Sequence, residues 1–246
     1  ARNIGYVPRS RVAAKAEISF SVTIADTQTS TLDLEAGLVC VGSSNDTNYV
    51  FSVPERIVTT VDSNQNATFS NITVHQGTFL EKSFVVDGSL DQRFILDNPY
   101  IDSSTIVVRI RESNNDVSEG REYQVSDNIL NIDTTSEVYF LQEVQDEKYE
   151  LLFGDGFFGK KLDTGNVIDV SYIITDGKDG NGASNFTFSG RFRDDQGKIE
   201  IPTNSIEITT SQNAINGADI ESVDSIKYFA PRIYSSQYRA VTARDY

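Results

Sequence analysis

From residue 16 to residue 24 apolar and polar positions alternate without interruption, placing Ala16, Ile18, Phe20, Val22 and Ile24 on one face and polar side chains on the other. That pattern predicts a half-buried strand. Similar short runs recur at 49–53, 57–61, 71–75, 78–86, 105–110, 138–141, 149–153, 167–174, 186–188, 198–201 and 205–209. Turn formers separate them, among them Asp87–Gly88, Asp155–Gly156, Asp163–Gly165 and Asp176–Gly177, where Gly and Asp supply positive φ at low cost. No helical period is sustained between residues 16 and 215, which argues against βαβ units. The expected fold is mainly β: antiparallel sheets in two β-rich subdomains, with short helices at the chain ends.

Helical spacing is confined to those ends. Ile220, Val223, Ile226 and Phe229 recur every three residues, with Asp219 as the expected N-cap and Pro231 just past the end. Thr242 and Asp245 fit a capping box, so another helix is expected to begin near residue 242. Gly5 followed by Pro8 suits the C-cap of a helix lying before Ala1. With no Met at any position, the chain is expected to be an internal piece of something longer.

Charge refines the picture. The 246 residues carry a net charge of −15, which repels nucleic-acid phosphates, so neither DNA nor RNA is expected as a partner. The acids are concentrated: residues 97–155 hold 14 acids against 4 bases, whereas residues 1–24 hold 1 acid against 4 bases. The expected organisation is therefore a discontinuous β-rich domain of residues 1–96 plus 181–215, an inserted acidic β lobe at 97–180, and a helical connector at 216–246. A solvated surface explains the acids more simply than a docking site for a basic partner. No apolar run approaches the roughly 18 to 20 residues of a membrane helix, and the first residues lack a signal-peptide core, so no membrane is expected as a partner.

Little in the sequence points to catalysis. Cys40 lies between Val39 and Val41 and reads as a small buried hydrophobe. The single histidine, His75, alternates with Ile72 and Val74 and is expected to face solvent; no G-x-S-x-G elbow accompanies it. Residues 154–159 match the G-x-G-x-x-G string, but a turn and a strand follow instead of a helix. The expected element there is a glycine-rich hairpin turn packing Phe157 and Phe158 onto the sheet. Asp176, Asp179 and Asn181 crowd a loop that could offer oxygens to calcium, yet their spacing misses the EF-hand pattern, and a plain loop is the better reading. Asp194–Asp195, Asp146–Glu147 and Glu119 with Glu122 lie in turn-like stretches where carboxylates stay solvated. The sequons at Asn45, Asn66, Asn71 and Asn185 are weak signals in a chain rich in Asn, Ser and Thr. No cofactor, metal or catalytic residue is expected.

The two ends carry a recognisable pattern. Gly5, Tyr6 and Pro8, followed by Ala13, Ala14 and Ala16, resemble the "GY-x-P…AA…A" start of the baseplate J-like family. Glu221–Ser222, Ala230–Pro231 and the run Arg239, Ala240, Val241, Thr242, Asp245, Tyr246 resemble its "ES…AP…RAVT-x-x-DY" segment. Phe153 with Gly154, Asp155 and Gly156, then Gly165 and residues 180–183, are similar to the strand, turn and loop between. Within that family the likeness is to the wedge proteins of T4-like contractile-tail phages, which form the inner ring of the baseplate.

The resemblance implies a structural virion component assembled in the host cytoplasm, not an enzyme. Family members associate with themselves as a dimer within each wedge, contact other wedge and sheath-initiating proteins, and undergo a conformational change that triggers sheath contraction. Two rival readings remain: a glycan-binding module of a fibre or adhesin, using loop aromatics such as Tyr49, Tyr100, Phe157 or Phe158, and a carboxylate-dependent hydrolase.

Overall fold

A computed structural model describes residues 10–236 apart from 90, 127–131 and 145–146. Seventeen strands and one α-helix follow in chain order: β1 (Lys15–Thr23), β2 (Thr31–Leu34), β3 (Gly37–Ser44), β4 (Thr47–Val53), β5 (Ile57–Thr60), β6 (Asn66–Gln76), β7 (Thr78–Val85), β8 (Phe94–Leu96), β9 (Val107–Arg111), β10 (Arg121–Val125), β11 (Val138–Glu143), β12 (Tyr149–Phe153), β13 (Val167–Ile174), β14 (Ser184–Phe188), β15 (Phe192–Asp194), β16 (Ile199–Glu200), β17 (Thr209–Ile215) and α1 (Val223–Ser236). The molecule is mainly β and almost wholly antiparallel; among the described strands only β10 and β11 pair in parallel.

The strands form three sheets around two cores. A six-stranded sheet runs β14-β3-β4-β6-β1-β17, and its outer strands meet where Gly182 N donates to Ala214 O at 2.6 Å and Ala214 N to Ala183 O at 3.0 Å. A four-stranded sheet, β16-β15-β2-β5, covers the same interior. The alternation of β1 puts Ala16, Ile18, Phe20 and Val22 inside, where Phe20 stacks on Phe69 at 5.1 Å and Phe188 on Phe192 at 5.2 Å. Such offset aromatic pairs contribute about 1 kcal/mol each beyond the area they bury.

The seven-stranded sheet, β7-β13-β9-β10-β11-β12-β8, wraps a separate core of Leu96, Ile101, Val108, Leu151, Ile168 and Tyr172. Its two edges approach each other at Phe84 and Phe94, 5.6 Å apart in an edge-to-face pair, and Lys82 Nζ donates to Ile95 O at 2.9 Å. Both cores thus sit inside barrel-like, strongly curved sheets. Strand membership differs from the expected borders of an acidic lobe at 97 and 180. β7 and β8 hydrogen-bond into the seven-stranded sheet, so the chain crosses into it at Gly77 and returns at Thr175. Charge composition shifts at residue 97, but strand pairing has no reason to follow charge.

Two expectations at the C-terminal end are corrected. Ser222, not Asp219, caps α1: its Oγ accepts from Ser225 N at 3.2 Å, and Ile226 N donates to Ser222 O at 2.9 Å. Asp219 instead pairs with Lys178 at 2.8 Å. Pro231 lies inside the helix, which runs on to Ser236. A proline there removes one intrahelical donor and favours a kink.

Candidate interaction surfaces

The residues singled out from the sequence fall in three places. Gly5, Tyr6, Pro8, Arg239, Thr242, Asp245 and Tyr246 lie outside the described residues. Glu221 and Ser222 start α1, with the buried Glu221 carboxylate accepting from Ser225 Oγ at 2.6 Å. Gly154, Asp155 and Gly156 form the turn after β12. These are structural placements around two helix and strand ends; the structure does not gather them into one site.

That turn is tightly specified. A Cβ on Gly154 would lie 2.2 Å from the Gly159 carbonyl carbon, and Gly156 and Gly159 take φ of +92° and +88°. Asp155 Oδ1 accepts from the backbone N–H of Phe157 at 2.8 Å and of Phe158 at 3.0 Å, which holds its carboxyl below the usual carboxylate range. Gly159 N donates to Asp133 O at 3.0 Å, tying the turn to the loop before β11. The outcome reverses the expectation for the aromatics: Phe157 is 77% and Phe158 51% exposed. The Asx turn consumes the inward backbone groups and leaves both rings outside.

Polar side chains join the two cores where the chain crosses between them. Gln76 Oε1 accepts from Thr175 Oγ1 at 2.6 Å and from Asp176 N at 3.0 Å, while its Nε2 donates to Asp176 Oδ2 at 2.8 Å. The fully buried Asp102 accepts from Ala13 N at 2.8 Å and from Ser104 N at 3.0 Å. Asn181 clamps Gly217, accepting from its N–H at 2.8 Å and donating to its carbonyl at 2.9 Å. In the loop considered for calcium, Asn181 is thus engaged with Gly217 and Asp176 with Gln76, while Asp179 is exposed beside them. No group of three or more His, Cys, Asp or Glu side chains able to hold a metal occurs among the described residues.

Many acids of the 97–155 stretch have local structural work. Asp116 caps a turn through Ser118 N at 2.9 Å, and Asp133 accepts from both Thr135 Oγ1 and Thr135 N at 2.8 Å; these bonds hold the two carboxyls below the usual carboxylate range. Glu150, nearly buried, takes both arms of the Arg93 guanidinium at 2.7 Å, and Glu137 accepts from Arg121 and Lys160 at 3.0 Å. Glu119 and Glu122 gather around Arg109. Asp194 is buried and accepts from Gln196 N and Lys198 N, while Asp195 holds Ser30. Of the Asp146–Glu147 pair, Asp146 lies outside the described residues.

Cys40 and His75 are withdrawn from solvent to different degrees. Cys40 has no exposure, because a register shift in β3 turns it and Val39 both inward, and burial pushes its thiol up to about 12. His75 does not face solvent as expected. It is half-buried, its Nδ1 has no hydrogen-bond partner, and burial first, then nearby Lys15, lower it to about 4 against an opposing pull from Asp102. Three of the four sequon asparagines, Asn45, Asn71 and Asn185, adopt positive φ near 50°. Turn and bulge geometry accounts for them, since Asn enters that region at lower cost than most residues.

Of the aromatics considered for glycan contact, Tyr49 packs against the first core, and Tyr100 lies 4.4 Å beneath the Arg11 guanidinium. Phe157 and Phe158 are the two that project freely. No helix among the described residues is long and apolar enough to cross a membrane.

No family model matches the chain. Over 266 aligned residues it is 25% identical to "Baseplate wedge protein gp6" of Enterobacteria phage T4, an alignment that covers all of this chain and 38% of that protein. The chain therefore spans well under half the length of the curated relative it matches. The similarity is distant, runs from end to end, and relates the chain to a phage baseplate component.

Proposed function

We propose that this chain is a β-rich portion of a baseplate wedge protein, a load-bearing part of the inner ring whose rearrangement leads to sheath contraction. The observation that carries this reading is the end-to-end alignment with the T4 wedge protein. The residue pattern adds support: the matching motif Gly154–Gly156 builds a rigid turn, and Glu221 and Ser222 build a helix start. In this role the chain has no active site. The carboxylates in caps and ion pairs and the buried thiol are engaged in the fold, which fits a structural part better than a hydrolase.

Its partners are other wedge and sheath-initiating proteins, with self-association as a dimer belonging to the full-length protein. Antibodies raised against the isolated chain test the location: gold label in negatively stained virions should collect at the baseplate. Label restricted to fibre tips, or none on intact and disrupted tails, would remove the proposal.

One observation favours a second reading, a glycan-binding surface at the turn after β12. Phe157 and Phe158 stand in solvent on a rigid base, and aromatic faces suit stacking on sugar rings. Binding of the chain on a glycan array, abolished by F157A/F158A, would support it; a blank array removes it.

A further inference from the structure

Hydrogen bonds, ion pairs and apolar packing of β7, where Phe79 lies over Gly37 of β3, hold the seven-stranded sheet against the rest of the chain, and the first two respond differently to solvent. At the crossing point the contacts are short, largely buried and mostly hydrogen bonds: Gln76 to Thr175 and Asp176, and Asp102 to Ala13. The backbones there touch closely enough that a Cβ on Gly77 would lie 2.2 Å from Ile174 O.

A few residues along β13 the contacts change character. The turn from Pro54 to Arg56, between β4 and β5, faces β9 and the loop before β10. Glu55 meets Arg109 at 2.6 Å, and Arg56 meets Glu119 at 2.9 Å while also holding Asp33 of β2 at 2.8 Å. Arg109 is drawn further to Glu122 at 3.6 Å and Glu119 at 4.0 Å. The one neutral bond at this edge, Ser171 Oγ to Pro54 O, is long at 3.4 Å. Side-chain exposure runs from 28% at Arg109 to 55% at Glu119, so water and salt reach these pairs. The Glu55–Arg109 and Arg56–Glu119 pairs, together with Ala36, Phe79, Val107 and Asp169, line an open cleft of about 340 Å³, so water reaches this edge.

We propose that Arg56 and Arg109, with Glu55 and Glu119, form a salt-sensitive latch between the two β bodies, and that the crossing at Gln76–Gly77 and Thr175–Asp176 is the pivot on which the seven-stranded body swings when the latch opens. Exposed ion pairs each bias such an equilibrium only about two- to five-fold. They are screened as the Debye length falls from about 10 Å at 0.1 M salt to about 3 Å at 1 M. Buried hydrogen bonds at the pivot are not screened in this way. The strong contact therefore stays while the weak one opens, and two pairs together bias the closed form roughly tenfold. The latch belongs to the chain itself and stands or falls apart from any role in a baseplate.

Spin labels on V125C, in the seven-stranded sheet, and I201C, beside β16, report the distance between the bodies; both sites are exposed. Cys40 is buried and takes no label. At 50 mM salt the closed arrangement should give one narrow distance by pulsed electron paramagnetic resonance. At 1 M salt a second distance should appear, and R56Q/R109Q should show that second population at 50 mM, raised roughly tenfold over wild type. The salt series leaves the latch residues unsubstituted, so it does not depend on whether R56Q/R109Q folds. A distance distribution unmoved by salt overturns the proposal, and so does one that moves with substitution alone, because the latch would then not be electrostatic.

Discussion

His75 gives the sharpest test of the physical reading, because the chain has one histidine and the pH range between its carboxylates and its amines is otherwise quiet. In the folded chain the imidazole is lowered from 6.5 to about 4, mainly by burial, with Lys15 adding repulsion and Asp102 opposing it. Unfolded, it returns to about 6.5. Between those two values the unfolded chain binds a proton that the folded chain does not, so stability falls as pH drops below about 6.5 and the loss saturates near 4. At about 1.4 kcal/mol for each tenfold step, the loss relative to pH 7 is about 2 kcal/mol at pH 5 and about 3 kcal/mol by pH 4. Urea unfolding followed by circular dichroism at pH 7, 6, 5 and 4.5 measures it directly. H75L should be nearly flat from pH 6.5 to 5, with its remaining acid sensitivity confined to lower pH, where the capped and paired carboxylates titrate. An equal slope in wild type and H75L, or no slope in wild type, would refute the argument.

Other consequences follow from single contacts. Cys40 should resist a thiol reagent at pH 8 in native buffer and react at once in urea; fast native labelling would contradict its burial and raised pKa. G154A forces a Cβ into the Gly159 backbone and should cost about 1–3 kcal/mol by thermal or urea unfolding, whereas G197A, which meets no neighbour within 4 Å, should cost less, its penalty coming from its positive φ alone. D102A leaves the Ala13 and Ser104 N–H groups without their buried acceptor and should cost about 2–4 kcal/mol, seen in the same unfolding curves; an effect under about 0.5 kcal/mol would show that water replaces the carboxylate. F157A/F158A should leave stability within about 0.5 kcal/mol of wild type, since neither ring is in a core.

The sequence made strands legible where alternation was long and the inward residues large. The run 149–153 and the run 167–174 coincide with β12 and β13, and 16–24 nearly matches β1. β2 and β15 escaped because four and three residues give too short a period to stand out, although Leu32, Leu34 and Phe192 are among the best buried side chains. β10 escaped because only Tyr123 points inward. In 205–209 the alternation of Ile206 and Ile208 marked a segment that packs on the first core without pairing until β17 begins at Thr209. Period alone cannot tell a packed extended segment from a hydrogen-bonded strand.

The surfaces were harder to read. Gly154, Asp155 and Gly156 announced a turn, but whether its aromatics point in or out depends on which backbone groups Asp155 captures. Asp219 looked like a cap by residue type, and lost that place to Ser222 because Lys178 lies across from it in space. His75 sits at a strand position whose alternation predicts exposure, yet β6 runs between β1 and β4 there, with Lys15 and Ser52 as its partners, and the ring is half-buried. Contacts distant in sequence decide each of these, and none leaves a local mark.

The central claim is a place in the tail baseplate. A cryo-electron microscopy reconstruction of the baseplate from virions carrying this protein tests it most directly. The account predicts density near the central hub into which two joined β bodies fit, one enclosed by the six- and four-stranded sheets and the other by the seven-stranded sheet. A resolved baseplate that accommodates neither body, with the protein found in the fibres or absent from the particle, would contradict it.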